Sequence, residues 1–389
     1  MTSMNTLRSF LLFLIIVFSN TTFGQEVAKL DIISIKSKFL SQEREILIYT
    51  PWLYEERDLV SFDVIYVFDS QHRELFDLVH SASNFIMGSK KFIVVGIQSP
   101  GYPEIDYYRN NDLFPMPINV PLEGYNVQNP NAENFWKYVN QEVFPLISET
   151  YRTTNKVYLI GHSMSASFVL DKLIKHPDLF TGVIAISPNL AYDENRLAQD
   201  FINTKFDEIS DGKFIYISQA NEYFSFGEKW VKAYEKVKEF IEHQNATEKH
   251  TVLLKEYPNE NHWSVYLPSL SFAMNNFKEF VNNNPYIPNG NKKQITFKVR
   301  VLEENDNAYI TGNQESLGNW DPSKVKLTKT STLEREITLE VQFPLEFKIT
   351  RGNWESQAFT NQTTNDGENI IIFNVDKEVS LKVEQWNDR

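Results

Sequence analysis

The chain has 389 residues, of which 42% are hydrophobic and 14% aromatic, and its formal net charge is −13. This length suits two domains, and the acidic balance argues against nucleic acid or an anionic membrane surface as a partner, because both require a basic face. The chain has no cysteine, which excludes disulfides, thiolate metal sites and a cysteine nucleophile.

The first 24 residues have the pattern of a secretory signal peptide. Arg8 precedes the apolar run SFLLFLIIVFS, and NTTFGQ follows it. The run is short for a bilayer span, and cleavage after Gly24 would place the small residues Thr22 and Gly24 at −3 and −1. We therefore expect an exported protein, periplasmic or secreted, with no membrane association once the peptide is removed. The alternative is an uncleaved anchor.

Strands and helices alternate from Lys29 to about Phe280. Apolar runs predict the strands LDIISIKSKF, REILIYTP, FDVIYVFDS, KKFIVVGIQS, NKVYLIG, FTGVIAISP, KFIYISQ and HTVLLKEY. Helical periodicity predicts the helices NFWKYVNQEVFPLISETY, SASFVLDKLIKHP, GEKWVKAYEKVKEFIEHQ and WSVYLPSLSFAMNNFKEFV. This order indicates an α/β domain over 27–281 with a mostly parallel sheet, whose functional loops follow the carboxyl ends of the strands.

A change of composition marks the end of this region. The stretch NNNPYIPNGNKK (282–293) is rich in Asn, Pro and Gly, and predicts a linker. The alternating segments QITFKVRVLE, NAYITGN, LEREITLEVQF, LEFKITR, NIIIFNV and EVSLKVE come after it. They predict a small all-β sandwich over 294–389.

Ser163 lies in the stretch GHSMS, where a predicted strand ends and a predicted helix begins. This is the setting of a nucleophile elbow, a sharp turn that lifts a serine hydroxyl above the sheet. The turn needs small residues two positions before and after the serine. Gly161 meets this need, and Ser165 is small although the pattern Gly-x-Ser-x-Gly has glycine there. We interpret Ser163 as a nucleophile, against the alternative of an ordinary strand–helix turn.

A serine hydroxyl needs a base, and the base needs an acid that holds its tautomer. His262 lies in the loop between the last predicted strand and the last predicted helix, where this architecture supplies its base. The acid is expected between the serine and the histidine in chain order. Glu222, which follows the strand KFIYISQ, is the leading candidate, and Asp193, Glu194 and Glu260 are rivals.

Two backbone N–H groups are expected to bind the oxyanion. One belongs to Met164, which follows the nucleophile, and position alone assigns the other to Gln71, in the loop VFDSQHRELF after the third strand. The sequence has no His-Glu-x-x-His pattern and no clustered carboxylate motif, so we expect no metal and no cofactor.

The region 29–281 resembles the esterase D-like family of α/β-hydrolases, which includes siderophore, feruloyl and acetyl-xylan esterases. The stretches that carry the resemblance are ILIYTPWLY, VIYVFDSQ, FIVVGIQ, YYRNNDLFP, FPLISETYR, LIGHSMSASF, HPDLFTGVIAISPNL and NENHWSV, in the family's order. The resemblance implies an α/β-hydrolase fold, with Ser163 as nucleophile, His262 as base and, less firmly, Glu222 as acid. It also implies Met164 and Gln71 at the oxyanion hole.

Two positions depart from the family pattern. The family usually has glycine at Ser165, and often at Trp263, where a bulky ring would narrow or line the acyl pocket.

The second domain resembles starch-binding carbohydrate modules, through ITFKVRVLEENDNAYITGNQESLGNWDP and LEFKITRGNWES. In such modules two tryptophans form a platform for sugar rings. The matching positions are Trp320 and Trp354, with Lys348 as a hydrogen-bond donor. The alternative is that LGNW only closes the core of the fold, and Trp386 is interpreted as a packing residue.

These observations lead to the hypothesis of an exported serine esterase that acts on a small-molecule or polysaccharide-linked ester, with a starch-like glucan as a partner of the second domain. A siderophore trilactone esterase and a catalytically inactive carbohydrate-binding protein are the alternatives.

Overall fold

The computed structural model describes residues 28–52, 54–101, 108–121, 129–209, 212–243, 249–364 and 367–389. The predicted signal peptide, 1–24, lies outside these ranges. Within them, none of the helices is both long enough and apolar enough to span a bilayer.

The first part of the chain forms an eight-stranded sheet. Its strands are β1 (Lys29–Ser37), β2 (Gln42–Thr50), β3 (Phe62–Phe68), β4 (Phe92–Ile97), β5 (Thr153–His162), β6 (Gly182–Ile186), β7 (Phe214–Ala220) and β8 (Thr251–Tyr257). Their order is β1-β2-β4-β3-β5-β6-β7-β8. The β1–β2 hairpin is antiparallel and β2 is antiparallel to β4, whereas the strands from β4 to β8 run parallel. All eight predicted strands are present, and the mostly parallel sheet is confirmed.

Helices cover both faces of this sheet. They are α1 (Arg73–Ile86), α2 (Tyr108–Leu113), α3 (Ala132–Tyr138), α4 (Phe144–Thr150), α5 (Met164–Lys175), α6 (Tyr192–Ile202), α7 (Tyr223–Phe226), α8 (Glu228–His243) and α9 (Tyr266–Asn283). Alternate residues of β3 enter two separate cores: Tyr66 packs with residues of α3, α5, α6 and α8, and Ile65 packs with α1 and α9. Burial on both faces explains why the strand is apolar at every position except Asp63.

One predicted helix is interrupted. The segment NFWKYVNQEVFPLISETY contains the end of α3, a π-helical turn at Val139–Val143, and α4. The short helices α2, α6 and α7 were not predicted. In α6, residues Asp193, Glu194 and Asn195 have left-handed backbone angles, so that regular helical geometry begins after them.

The last part of the chain forms two facing β-sheets. Their strands are β9 (Lys292–Arg300), β10 (Tyr309–Gly312), β11 (Val325–Lys326), β12 (Thr328–Lys329), β13 (Glu334–Gln342), β14 (Leu345–Thr350), β15 (Ala358–Thr360), β16 (Ile370–Ile372) and β17 (Glu378–Trp386). The orders are β11-β10-β14-β16 and β12-β13-β9-β17-β15. The rings of Phe297 and Phe347 meet between the sheets at 5.5 Å. The six predicted strands are present. The three additional strands have only two or three residues, too few to show an alternation of apolar and polar residues.

The β-sheet domain packs on the amino-terminal edge of the parallel strands. Ser61, just before β3, donates its N–H to the carbonyl of Ile371 at 2.8 Å. Arg57 forms a buried ion pair with Glu368 at 2.6 Å. The segment predicted as a linker is also packed, because the buried Tyr286 donates its hydroxyl to Asp63 of β3 at 2.5 Å. The carboxyl ends of the strands, where the candidate site lies, are at the opposite edge.

Candidate active site

Ser163 occupies a sharp turn between β5 and α5. Its backbone angles are φ 60° and ψ −122°, a combination that non-glycine residues rarely adopt and that costs about 1–3 kcal/mol. Its N–H donates to the carbonyl of Ile186 at 2.9 Å. A Cβ atom at Gly161 would lie 2.4 Å from the backbone carbon and oxygen of Ser165. Only glycine therefore fits at 161, and the strained turn requires it.

Ser165 fits the position where the pattern has glycine. It is fully buried in the first turn of α5 and is not among the described residues with positive φ. Its hydroxyl donates to the carbonyl of His162 and accepts from the N–H of His162, both at 2.9 Å. The extra hydroxyl thus closes the turn locally.

The loops after β7 and β8 bring Glu222 and His262 together. His262 Nδ1 donates to Glu222 Oε1 at 2.9 Å, and both side chains are buried. The hydroxyl of Ser187 donates to the same oxygen at 2.5 Å and accepts from the N–H of Ala220 at 3.0 Å. This set of bonds fixes the carboxylate and, through it, the orientation of the imidazole.

The rival acids have other partners. Asp193 accepts from the N–H groups of Ile118 and Asn119 at 3.0 and 2.8 Å. Glu260 accepts from a serine hydroxyl within its own exposed loop. In the described part of the chain, His262 forms no hydrogen bond with the carboxylate of Asp193, Glu194 or Glu260.

Two atoms of the candidate site make no hydrogen bond in the described structure. Across the described residues, neither the Ser163 hydroxyl nor His262 Nε2 makes a hydrogen bond. A hydrogen bond between nucleophile and base is often long without substrate and tightens in the reacting complex.

The oxyanion-hole candidates are two unpaired N–H groups. Those of Met164 and Gln71 donate to no acceptor in the described residues. The amide side chain of Gln71 donates to Asp69 at 2.9 Å and accepts from the N–H of Ser99 at 3.0 Å, which fixes the loop after β3.

Asp69 anchors this loop. It has a positive φ of 63° and forms two bonds with Arg109, at 2.6 and 2.7 Å. Burial by itself would raise the pKa of Asp69, but the charge of Arg109 and the hydrogen bonds from Arg109 and Gln71 outweigh it and leave the pKa lowered. The carboxylate is therefore ionised at neutral pH.

Aromatic rings surround His262. The rings of Phe226, Trp230 and Trp263 lie 4.8, 5.6 and 5.9 Å from the His262 ring. Trp263 is 63% exposed, so that it forms part of the rim of the site.

His162 links the elbow to the loop of the base. Its Nε2–H donates to the backbone carbonyl of His262 at 2.7 Å. Burial, together with the nearby charge of His262, lowers the pKa of His162 to about 4, so it is neutral at pH 7.

In the β-sheet domain, the three predicted sugar-binding residues differ in exposure. Trp354 is 43% exposed, and Trp320 is half-buried in a turn with φ 64°. Lys348 donates to Gln357 and to the carbonyl of Gly367, and burial lowers its pKa. Its hydrogen bonds are therefore already used within the fold. Trp386 is fully buried, as a packing residue should be.

The family model for putative esterases matches residues 37–277, which is more than half of the chain. The chain belongs to the putative esterase family. The model for the starch binding domain matches residues 292–370 of this esterase. No curated protein matches its sequence.

Solved structures share the fold of the esterase region. An IroE-like serine hydrolase from Shewanella oneidensis has a TM-score of 0.53 at 22% identity, over 64% of this chain and 80% of that one. The BES protein from Bacillus cereus has a TM-score of 0.53 at 21% identity, over 64% of this chain and 96% of that one. The siderophore hydrolase EstA from Aspergillus nidulans has a TM-score of 0.50 at 20% identity, over 64% of this chain and 94% of that one. At these identities the likeness concerns the fold alone.

Sequence reasoning missed the groups that support the site. Ser187 follows β6 in the stretch AISPN, and its place after a strand end was the available signal. Asp69 follows β3 whereas Arg109 lies in α2, and the rings of Phe226 and Trp230 lie in α7 and α8, far along the chain from His262. Nothing in the local sequence predicts these contacts.

Proposed function

We propose that this esterase is a serine carboxylic-ester hydrolase with Ser163, His262 and Glu222 as its triad. The observation that carries the proposal is the strained turn of Ser163 at the same sheet edge as the buried His262–Glu222 pair, which is joined at 2.9 Å. Strain of this kind persists where the surrounding structure over-determines it, as at active sites.

In the proposed reaction the Ser163 oxygen attacks the ester carbonyl while His262 Nε2 accepts its proton. The N–H groups of Met164 and Gln71 donate to the developing oxyanion, and Glu222 stabilises the imidazolium. Collapse breaks the bond to the alcohol, which leaves with the proton from His262. A water molecule, deprotonated by His262, then attacks the acyl-enzyme, releasing the acid and restoring the Ser163 hydroxyl.

The test is labelling with a fluorophosphonate probe combined with p-nitrophenyl acetate hydrolysis. We expect covalent labelling of Ser163, and loss of both labelling and hydrolysis in Ser163→Ala with unchanged thermal unfolding. Ser148→Ala, at an exposed position near the end of helix α4, is the matched control. Retained hydrolysis in Ser163→Ala would refute the mechanism, and an absence of labelling in the wild type would favour an inactive binding protein.

We also propose a saccharide or plant-polymer ester as substrate and a starch-like glucan as ligand of the β-sheet domain. The match to the starch binding domain and the exposed ring of Trp354 support this proposal. A starch pull-down of the full chain tests it, with Trp354→Ala expected to release the protein. Acetylated and feruloylated sugars and a siderophore trilactone, compared by kcat/KM, separate the substrate alternatives.

The domain limits and the export of the chain are proposals as well. We propose an esterase domain over 27–281, a connecting segment over 282–293 and a carbohydrate-binding domain over 294–389. Loss of residues 1–24 on export would give a mature chain beginning at Gln25, which N-terminal mass analysis would detect.

A further inference from the structure

A groove of about 470 Å³ opens beside the candidate base, between α8 and the first turn of α6. At its inner end the rings of Phe226 and Trp230 stack at 4.1 Å, and both contact the ring of His262. On the other side Glu194 and Asn195 line it in left-handed conformations. A molecule in this groove would therefore lie against the two rings that contact His262.

Three lysines line the groove along one face of α8. Lys229, Lys232 and Lys236 are separated by three and four residues, so they follow one another at intervals of about one helical turn, over roughly 10 Å. Lys232 pairs with Glu228 at 3.0 Å. Lys229 and Lys236 are exposed, and among the described residues neither makes an ion pair or hydrogen bond.

This row of cations contrasts with the rest of the protein. The whole chain has a net charge of −13, which repels anions. Glu194 is the carboxylate that lines the groove with the lysines. Lysines without partners at the entrance to a candidate site attract negative charge on a substrate and raise its rate of association.

We propose that the groove binds the non-reacting part of the ester substrate, and that this part is an acidic saccharide chain. Its carboxylates pair with Lys229 and Lys236, and a sugar ring packs against the Phe226–Trp230 pair. Lys229 and Lys236 are two helical turns apart, roughly 10 Å, so they suit carboxylates on separate rings of a chain better than they suit one anion. The inference rests on the proposed ester hydrolysis at Ser163 and specifies its substrate class.

The experiment compares acetylated galacturonan oligosaccharides with acetylated xylan oligosaccharides of the same length, using the full chain. The readout is the ratio of the two kcat/KM values. We expect the wild type to prefer the acidic substrate at low ionic strength and to lose the preference at high salt. The double variant Lys229→Gln/Lys236→Gln should lower the ratio about tenfold, mainly through KM, because two exposed charge pairs are lost.

Lys238→Gln is the matched control, since Lys238 lies on the opposite face of α8 and pairs with Glu256 at 3.0 Å. It should leave the ratio unchanged. A wild type without preference, a double variant with an unaltered ratio, or an equal loss in the control would overturn the proposal. A lysine-dependent preference for a catecholate trilactone alone would overturn the saccharide assignment. Failure of the esterase mechanism is distinct, because p-nitrophenyl acetate hydrolysis and probe labelling would then both be absent.

Discussion

Replacing Glu222 with glutamine tests the acid of the candidate triad. Glu222 is fully buried, and one oxygen, Oε1, accepts from both His262 Nδ1 and the hydroxyl of Ser187. Its other oxygen is buried without a hydrogen-bond partner in the described structure. Glutamine has nearly the same shape, so the substitution removes the charge and one acceptor while the packing is kept.

Neither orientation of the glutamine restores the site. With its amide nitrogen toward His262, the imidazole must accept at Nδ1, which puts the proton on Nε2 and blocks proton transfer from Ser163. With its oxygen toward His262, the nitrogen becomes a buried donor without an acceptor. In this second case the imidazolium also loses a carboxylate about 4 Å away, worth about 4 kcal/mol at an effective dielectric constant of 20.

A loss of about 4 kcal/mol corresponds to a fall of about a thousandfold in kcat/KM, and we expect a value between about a hundred and ten thousand. The assay is p-nitrophenyl acetate hydrolysis near pH 8, together with thermal unfolding. Glu260→Gln is the control, because among the described residues the Glu260 side chain bonds only to Ser264 of its own loop. A fall of less than tenfold in folded Glu222→Gln would refute the assignment and leave Ser163 and His262 to act without an acid.

Three further predictions concern the turn, the buried histidine and the domain contact. Gly161→Ala should abolish activity and lower the free energy of unfolding by more than about 3 kcal/mol, because the new methyl group would overlap the backbone of Ser165. The pKa of His162 is about 4 in the folded protein, below its unfolded value of about 6.5. The buried neutral ring therefore contributes its full stability above about pH 6.5. As the pH falls toward 4, the free energy of unfolding decreases by about 3 kcal/mol at most. Urea unfolding at several pH values should show this slope, and His162→Gln should reduce it. Arg57→Ala should lower the free energy of unfolding by about 1–3 kcal/mol, because the largely buried Glu368 loses its ionic partner while its two hydrogen bonds from Thr364 remain.

Each of these predictions has a control in the chain. Gly101→Ala should be neutral, since its added Cβ meets nothing within 4 Å. His243→Gln, at the exposed end of α8, should keep the wild-type pH slope. Glu303→Gln breaks an exposed ion pair with Arg389 and should change stability by less than about 1 kcal/mol. Equal effects in a variant and its control would contradict the physical reason given for that variant.

The strands were predictable because each carries its own signal. A strand buried on both faces, such as Phe62–Phe68, must be apolar at successive positions, and this pattern is visible without any neighbour. The π-helical turn at Val139–Val143 was not predictable, since nothing in the periodicity of the helix marks it. The strands β11, β12 and β15 are defined by the strands they pair with, and the sequence alone does not predict that pairing.

The sequence by itself determined the alternation of strands and helices, the change to an all-β region, and Ser163 and His262 as candidates, because each depends on local pattern and chain order. Only the tertiary structure shows which candidate carboxylate contacts His262, and it places Glu222 there. It alone also placed the lysines of α8 in a groove near His262 and packed the β-sheet domain at the opposite end of the parallel strands. These contacts join residues that are distant in the chain. Because they form only when the chain folds, no local sequence pattern predicts them.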